Sequence, residues 1–181
     1  IVNIPGMKER TVILYTFSKR FAMTGWRVGA SIGPKRIIEQ IARFNINDES
    51  CTNHFIQHAL AETLQDSDSN SALILNELKK RRDLCLAILK SINGINLPKP
   101  ESTFYLFFNV ASILSDKGYD NLDEFRVEAL KATGVSFCTR HHFGTSLKEE
   151  TKKYIRLAYS GIDQNDINLG LTQFKNWIQG D

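Results

Sequence analysis

The stretch TFSKRFAMTGWRVG, residues 16–29, gathers side chains that an ordinary surface loop does not need. Lys19 is a primary amine that can condense with an aldehyde, and its nucleophilicity depends on neighbours that lower its pKa. Arg27, eight residues on, carries a guanidinium suited to gripping a phosphate with paired hydrogen bonds. Thr16, three residues before the lysine, offers a hydroxyl to the same phosphate, and Gly25 permits a tight turn between them. Amine, hydroxyl and guanidinium together suit a phosphorylated aldehyde. Taken singly, one lysine among 23 basic residues is a solvated surface group by default.

The elements that must hold these groups follow from the hydrophobic pattern. Residues 11–15 (TVILY) form a continuous apolar, β-branched run, which predicts a strand covered on both faces. Lys19 then lies in the loop leaving that strand. Residues 27–32 (RVGASI) predict a second short strand, with Gly29 allowing close backbone approach. Gly33-Pro34 ends it, and Pro34 opens a helix with Ile37, Ile38, Ile41 and Ala42 as its apolar stripe. A second helix starts near Asn53, with Phe55, Ile56, Ala59, Leu60 and Leu64 on one face. The polar run QDSDSN, residues 65–70, is the best boundary in the chain. A long helical pattern follows from Ser71 to about Ile92, and Gly94 is placed to end it.

Beyond that helix the pattern changes. Residues 103–110 (TFYLFFNV) are aromatic and strand-like, and Asn121 with Glu124 resembles a capping box for a helix through Lys131, closed by Gly134. Residues 135–139 and 154–160 predict strands, and Asp163 caps a last helix with apolar positions Ile167, Leu171, Phe174 and Ile178. This order predicts a small α+β domain. The chain therefore divides into 1–69, too small to close an α/β sheet alone, and 70–181, the long helix with the α+β unit. In YIRLAYS, alternation places Tyr154, Arg156, Ala158 and Ser160 on one face. An arginine inside a core strand is expensive to bury without an anion. An Asp or Glu of the protein or a bound carboxylate would each satisfy it.

TFSKRFAMTGWRVG resembles the pyridoxal-phosphate lysine motif of class I/II (fold type I) aminotransferases, S-F/L-S-K-x-x-x-M-T-G-W-R-x-G. The match falls on Ser18, Lys19, Met23, Thr24, Gly25, Trp26, Arg27 and Gly29. YIRLAYS resembles the family's Y-V/I-R-L-x-x strand, and STFYLFFNV its G-x-F-Y-L-F strand, with Ser102 or Thr103 where glycine or alanine is common. GVSFCTRHHFG is similar to G-V-x-V-x-P-G-x-x-F-G, but Thr139-Arg140-His141-His142 replaces the Pro-Gly turn. The resemblance implies that Lys19 forms a Schiff base with pyridoxal 5'-phosphate and shuttles protons. It implies that Arg27 and Thr16 hold the cofactor phosphate, with Ser18 nearby, and that Arg156 takes the substrate α-carboxylate. Arg140 is a candidate second cation at the substrate mouth, favouring an acidic side chain, against its reading as part of a solvated basic loop.

The fold so implied mixes α/β and α+β parts: the end of a large-domain sheet, a long connecting helix and a small α+β domain. That is the C-terminal half of a PLP-dependent transferase similar to aspartate aminotransferase. The implied activity moves an amino group between an amino acid and a 2-oxo acid, in a homodimer where residues 50–53 approach the partner's cofactor. The family's earlier residues lie outside the match: the aspartate on the pyridine nitrogen, the stacking aromatic and the glycine-rich phosphate turn. The 181-residue chain by itself is therefore expected to turn over weakly or not at all. A catalytically silent interaction module and a lyase of the same fold are the other readings, since one fold hosts several chemistries.

Composition narrows the partners. A net charge of +3 is too modest to argue for nucleic acid, and KKRR, residues 79–82, reads as a solvated helix face. A nucleic-acid binder built on KKRR and TRHH would require strongly salt-dependent binding. Cys51, Cys85 and Cys138 are odd in number, far apart and without a CxxC pair, which argues against a disulfide framework and fits a reducing cytosol. His141 and His142, adjacent in an extended chain, point to opposite sides and do not share a metal. TFYLFFNVASIL is too short and interrupted to span a bilayer, and IVNIPGMKER lacks the order of a signal peptide. The expectation is a soluble cytoplasmic chain with no metal, nucleic-acid or membrane partner. Opening at Ile1 almost directly on a buried strand, it is expected to be a piece of something longer.

Overall fold

A computed structural model describes residues 1–145 and 147–180, which group into two compact units, Ile1–Leu75 and Asn76–Asp181. In the first, β1 (Ile13–Thr16) and β2 (Gly29–Ile32) form an antiparallel ribbon with Ile13 opposite Ile32 and Thr16 opposite Gly29. Gly29 is required there, because a Cβ would stand 2.8 Å from the Tyr15 carbonyl oxygen. α1 (Lys35–Asp48) opens after Pro34, whose fixed φ and missing N–H suit a helix start. α2 (His54–Gln65) follows Asn53 and buries Ile56 and Leu60. These two pack with Phe17 and Val28 into the unit's core, surrounded by Tyr15, Phe21, Met23 and Ala30.

This core is thinner than the pattern suggests. β1 is not covered on both faces: Leu14 is 80% exposed, and Ile13 and Ile32 also face solvent. Among the described residues β1 pairs only with β2, so the ribbon has two strands. The α1 stripe is only half-buried, and on α2 Phe55 and Leu64 stay exposed. Residues 65–70 hold the break between two helices. α2 and α3 (Ser67–Leu89) break at Asp66 alone, whose Oδ1 accepts from the Ser69 N–H at 3.2 Å. Asp66 thus caps a helix whose first turn also holds Asp68, where negative charge meets the positive end of the helix dipole.

The second unit is built on a three-stranded antiparallel sheet in the order β3 (Tyr105–Asn109), β5 (Tyr154–Ala158), β4 (Cys138–Thr139). On central β5, Arg156 stands opposite Phe107 on one side and Cys138 on the other. Ile155, Leu157 and Tyr159 are buried while Arg156 is half-buried on the opposite face, so the period-2 reading of YIRLAYS holds. α5 (Leu122–Thr133) is capped by Asn121, which accepts from the Asp123 N–H at 2.8 Å, and ends at Gly134 with φ 71°. α6 (Gln164–Gln179) is capped by Asp163 and buries Ile167, Leu171 and Phe174. Phe125 of α5 lies at the centre, its ring 5.2–6.5 Å from those of Tyr119, Phe137, Phe174 and Trp177. α3 contributes Cys85, Leu86 and Leu89 to the same core.

Three features depart from expectation. A short helix, α4 (Ala111–Asp116), follows β3, seeded by the Asn109 side chain accepting from the Ala111 N–H. Of residues 135–139 only Cys138 and Thr139 pair as strand, and Arg140–Phe143 coil into a 3-10 turn instead of extending. Half of the basic run is also tied down: Arg81 pairs with Glu77 and donates to the Ser160 carbonyl, and Arg82 pairs with Asp83. Lys79 and Lys80 remain solvated. Among the described residues no helix is long and apolar enough to cross a membrane.

Candidate functional site

Lys19 is exposed on the turn that leaves β1. The Thr16 hydroxyl donates to Ser18 Oγ at 2.9 Å, and the Ser18 N–H donates back to Thr16 Oγ1 at 3.2 Å. The pair thereby locks the backbone just before the lysine. Ser18 is the buried member of the pair and Thr16 the exposed one. After the lysine, Arg20 reaches Ser67 Oγ and pairs with Asp68, fastening the turn to the start of α3. This tether has no signature in the motif, since its partners lie more than forty residues away in sequence.

Arg27 closes the segment. Its guanidinium is exposed and uses one donor on the Thr24 carbonyl at 2.9 Å. Gly25 is the middle residue of a 3-10 turn, Thr24–Trp26, as the tight turn requires, while left-handed, positive φ falls on Ala22 (φ 53°) and Arg27 (φ 52°). A side chain in that region costs on the order of 1–2 kcal/mol, a form of strain that concentrates at functional positions. Thr16, at the end of β1, and Ser18, Lys19 and Arg27, on the loop from β1 to β2, thus bring hydroxyl, amine and guanidinium groups to one segment. Such a set suits the chemistry of a phosphorylated aldehyde.

Arg156 belongs to the second unit. Its guanidinium carbon stands 4.2 Å from the Tyr105 ring centre and 4.6 Å from that of Phe143, and Nη2 lies 3.6 Å from Cys138 Sγ. Aromatic faces carry negative charge, so they hold a guanidinium without consuming its edge donors. Among the described residues Arg156 forms no ion pair with a carboxylate, and the Asp or Glu alternative is therefore not realised. The sequence reading missed Tyr105 and Phe143 as its partners. Tyr105 was within reach, because alternation along TFYLFFNV puts it on the same face as Phe107, which stands opposite Arg156. Phe143 comes from the 3-10 turn, which no strand pattern locates.

Arg140 has an internal partner. Its Nε donates to both Glu150 oxygens at 3.1 and 3.2 Å, and its terminal nitrogens donate to the Gly144 and Thr145 carbonyls. Its charge is neutralised within its own loop and the structure does not present it as a free substrate cation. His142 Nδ1 meets the Thr139 N–H at 3.1 Å, while His141 Nε2 lies 3.6 Å from Asp123. Among the described residues no three His, Cys, Asp or Glu side chains cluster to hold a metal. Cys85 is buried, and desolvation pushes its thiol up to about 11, away from the reactive thiolate form.

Comparison with known proteins bears on this arrangement. A family model described as "Aminotransferase class I and II" matches residues 2–173. Aromatic-amino-acid aminotransferase 2 of Thermococcus litoralis is 33% identical over 165 residues, covering 88% of this chain and 39% of that protein. The aspartate aminotransferase of Sulfolobus acidocaldarius is 29% identical over 178 residues, covering 98% of this chain and 43% of its own. Among solved structures, an aromatic aminotransferase from Pyrococcus horikoshii OT3 superposes with a TM-score of 0.82 at 29% identity, covering 97% of this chain and 44% of that one. The chain spans less than half the length of the relatives it matches. A match that takes in both the Lys19 turn and the Arg156 strand, at this structural similarity, settles the family: the chain belongs to the class I and II aminotransferases.

Proposed function

We propose that the protein to which this sequence belongs is an aminotransferase, moving an amino group between an amino acid and a 2-oxo acid with pyridoxal 5'-phosphate. The observation that carries the reading is Arg156: a half-buried guanidinium held by two aromatic faces, with no carboxylate of the described residues paired to it. An α-carboxylate, common to amino acids and 2-oxo acids, is the anion such a group accepts through two parallel N–H donors. Lysine could not substitute, lacking both the planar fork and the flat face that stacks on rings.

The bound cofactor supplies an electron-accepting ring that makes the Cα–H bond of an amino acid acidic. This chain's residues do the rest. Lys19 Nζ is the point of covalent attachment, and its released amine holds and moves the proton at Cα as general base and then general acid. Thr16, its hydroxyl joined to that of Ser18, and Arg27 hold the phosphate, the guanidinium adding charge-assisted donors. Residues 1–69 are then the end of the cofactor-binding large domain, and 70–181 the connecting helix and small domain. A cytoplasmic homodimer acting in amino-acid metabolism goes with this reading.

The test is chemical. Incubation with pyridoxal phosphate followed by borohydride reduction is expected to place one pyridoxyl group on Lys19 and none in Lys19→Ala. Peptide mapping that finds the label spread over the surface lysines, unchanged by the substitution, would defeat the assignment.

A further inference from the structure

His54 and His58 lie four residues apart on α2 and are both exposed. Side chains at that spacing stand on one helix face, a turn apart. Their ring centroids are 4.7 Å apart with planes at 64°. The protein contacts made by histidine among the described residues are those of His141 and His142, so the polar edges of the α2 pair face water.

That spacing has a chemical meaning. A first-row metal ion binds an imidazole nitrogen at about 2.0–2.1 Å, which puts it roughly 3.2 Å from the ring centre. Two cis imidazoles on one ion therefore hold their ring centres about 4.5–5 Å apart. The observed separation falls inside this interval, so side-chain rotation alone can direct both nitrogens at one ion. We propose that His54 and His58 form a two-imidazole surface site for a divalent transition metal, with water completing the coordination. Nitrogen ligands favour Cu(II), Ni(II) and Zn(II), in the usual affinity order with Cu(II) strongest, over the oxygen-seeking Mg(II) and Ca(II).

The position gives the site a consequence. The other face of α2 places Ile56 and Leu60 against Phe17 and Val28, in the core beneath the Lys19 turn. An ion bridging His54 and His58 fixes the first turn of that helix, where fraying is easiest. Metal binding to the folded helix slows its opening by mass action. Exposed Cys51, three residues before His54 in sequence, is a competitor for a soft ion, and the test must separate it.

Nickel titration by calorimetry on the metal-free 181-residue chain is the direct measurement, with Cu(II) paramagnetic resonance to count nitrogen ligands. One ion per chain and two nitrogens are expected. His54→Ala or His58→Ala should weaken binding roughly a hundredfold, because each removes the second, intramolecular half of a chelate. The double change His58→Ala with Ala59→His keeps two histidines but puts them on different faces, and it should bind as weakly as either single variant. Substituting His141 and His142, or Cys51→Ser, should leave the affinity unchanged. Hydrogen exchange of the first turn of α2 should slow with Ni(II) in the native chain and not in His58→Ala. Absence of binding, undiminished binding in the displaced-histidine variant, or loss of binding with Cys51→Ser would each overturn the proposal.

Discussion

The two units position their chemical groups by different means. The second buries twenty side chains in one cluster, with Phe125 and Phe174 fully enclosed, and its Arg156 sits on the central strand of the sheet that this cluster supports. Among the described residues the first gathers four buried apolar side chains in its cluster, and leaves Leu14, Phe44, Ile46 and Phe55 more than 60% exposed. Lys19 is therefore held by backbone and polar devices: the Thr16–Ser18 hydroxyl pair, the glycine at 29, two left-handed residues and the Arg20–Asp68 tether. Packing fixes the arginine, while local geometry fixes the lysine. Regions with few buried apolar contacts open at lower free energy than densely packed ones, so the two means should fail under different stresses.

The sharpest way to break the comparison uses the two tryptophans, one in each unit. Trp26 touches Phe55 edge-on, and Trp177 packs against Phe125 and Phe174. In Trp177→Phe, leaving Trp26 as the probe, urea should unfold the first unit at a lower concentration than the second unit unfolds in Trp26→Phe. Phe125→Ala should cost about 3–5 kcal/mol in the Trp177 transition, as expected for a fully enclosed aromatic. Leu60→Ala should cost about 2 kcal/mol in the Trp26 transition, at the low end for a buried leucine, because its surroundings are open enough to relax. Coincident transitions with equal costs would mean that the units share one cooperative core.

Arg27→Gly separates function from stability in the first unit. Glycine relieves the left-handed strain, which offsets its greater unfolded-state entropy, so stability should stay level or rise by about 0.5–1 kcal/mol. Loss of the charge-assisted bonds should weaken pyridoxal phosphate retention by about 1.5–3 kcal/mol, roughly ten- to a hundredfold. Urea midpoints and the dependence of Lys19 labelling on cofactor concentration measure the two effects side by side. A parallel fall in both would make Arg27 a structural residue.

This contrast also explains what could be read from the chain beforehand. Where one face of an element is buried, the period speaks: Ile155, Leu157 and Tyr159 alternate with Arg156, and Ile167, Leu171 and Phe174 recur along α6. Caps at Asn121 and Asp163 were legible because a side-chain oxygen must meet the free N–H groups of a helix start. The same reasoning failed at residues 11–15, since an apolar run reports what a strand could bury and not what lies over it. The polar run at residues 65–70 marks a break between helices only one residue long, because its side chains cap the next helix, and the positive φ at Ala22 and Arg27 had no signature in the motif. Lys19, Arg27 and Arg156 were singled out by type, spacing and resemblance. Tyr105, Phe143, Arg20 and the Glu150 partner of Arg140 depend on tertiary contacts that no local pattern encodes.

The dense unit should also show its burial in alkaline solution. Desolvation raises the Cys85 thiol from its ordinary 9.0 to about 11. A folded-state pKa above the unfolded value gives stability that is complete below pH 9 and lost as pH climbs towards 11. Wild type should therefore lose on the order of 2 kcal/mol over that window relative to Cys85→Ala, a difference that cancels the tyrosine and lysine titrations common to both. Exposed Cys51 should alkylate well before Cys85 in the native chain. Parallel pH profiles for the two proteins would mean that water reaches the Cys85 thiol.

The smallest effect concerns the aromatic hold on Arg156. Phe143→Ala removes one of two rings at a half-buried cation, and such contacts are worth about 0.5–2 kcal/mol. In a catalytically competent enzyme containing this chain, about 1 kcal/mol should appear as a roughly fivefold rise in KM for the amino acid, with kcat changed much less. That split follows if the ring only steadies a carboxylate grip made equally in ground and transition states. Phe143→Leu keeps bulk without the ring quadrupole, so it should not restore KM, whereas Phe143→Tyr should. If leucine restores binding as fully as tyrosine, Phe143 acts through packing alone, and the guanidinium owes its placement to the sheet and Tyr105.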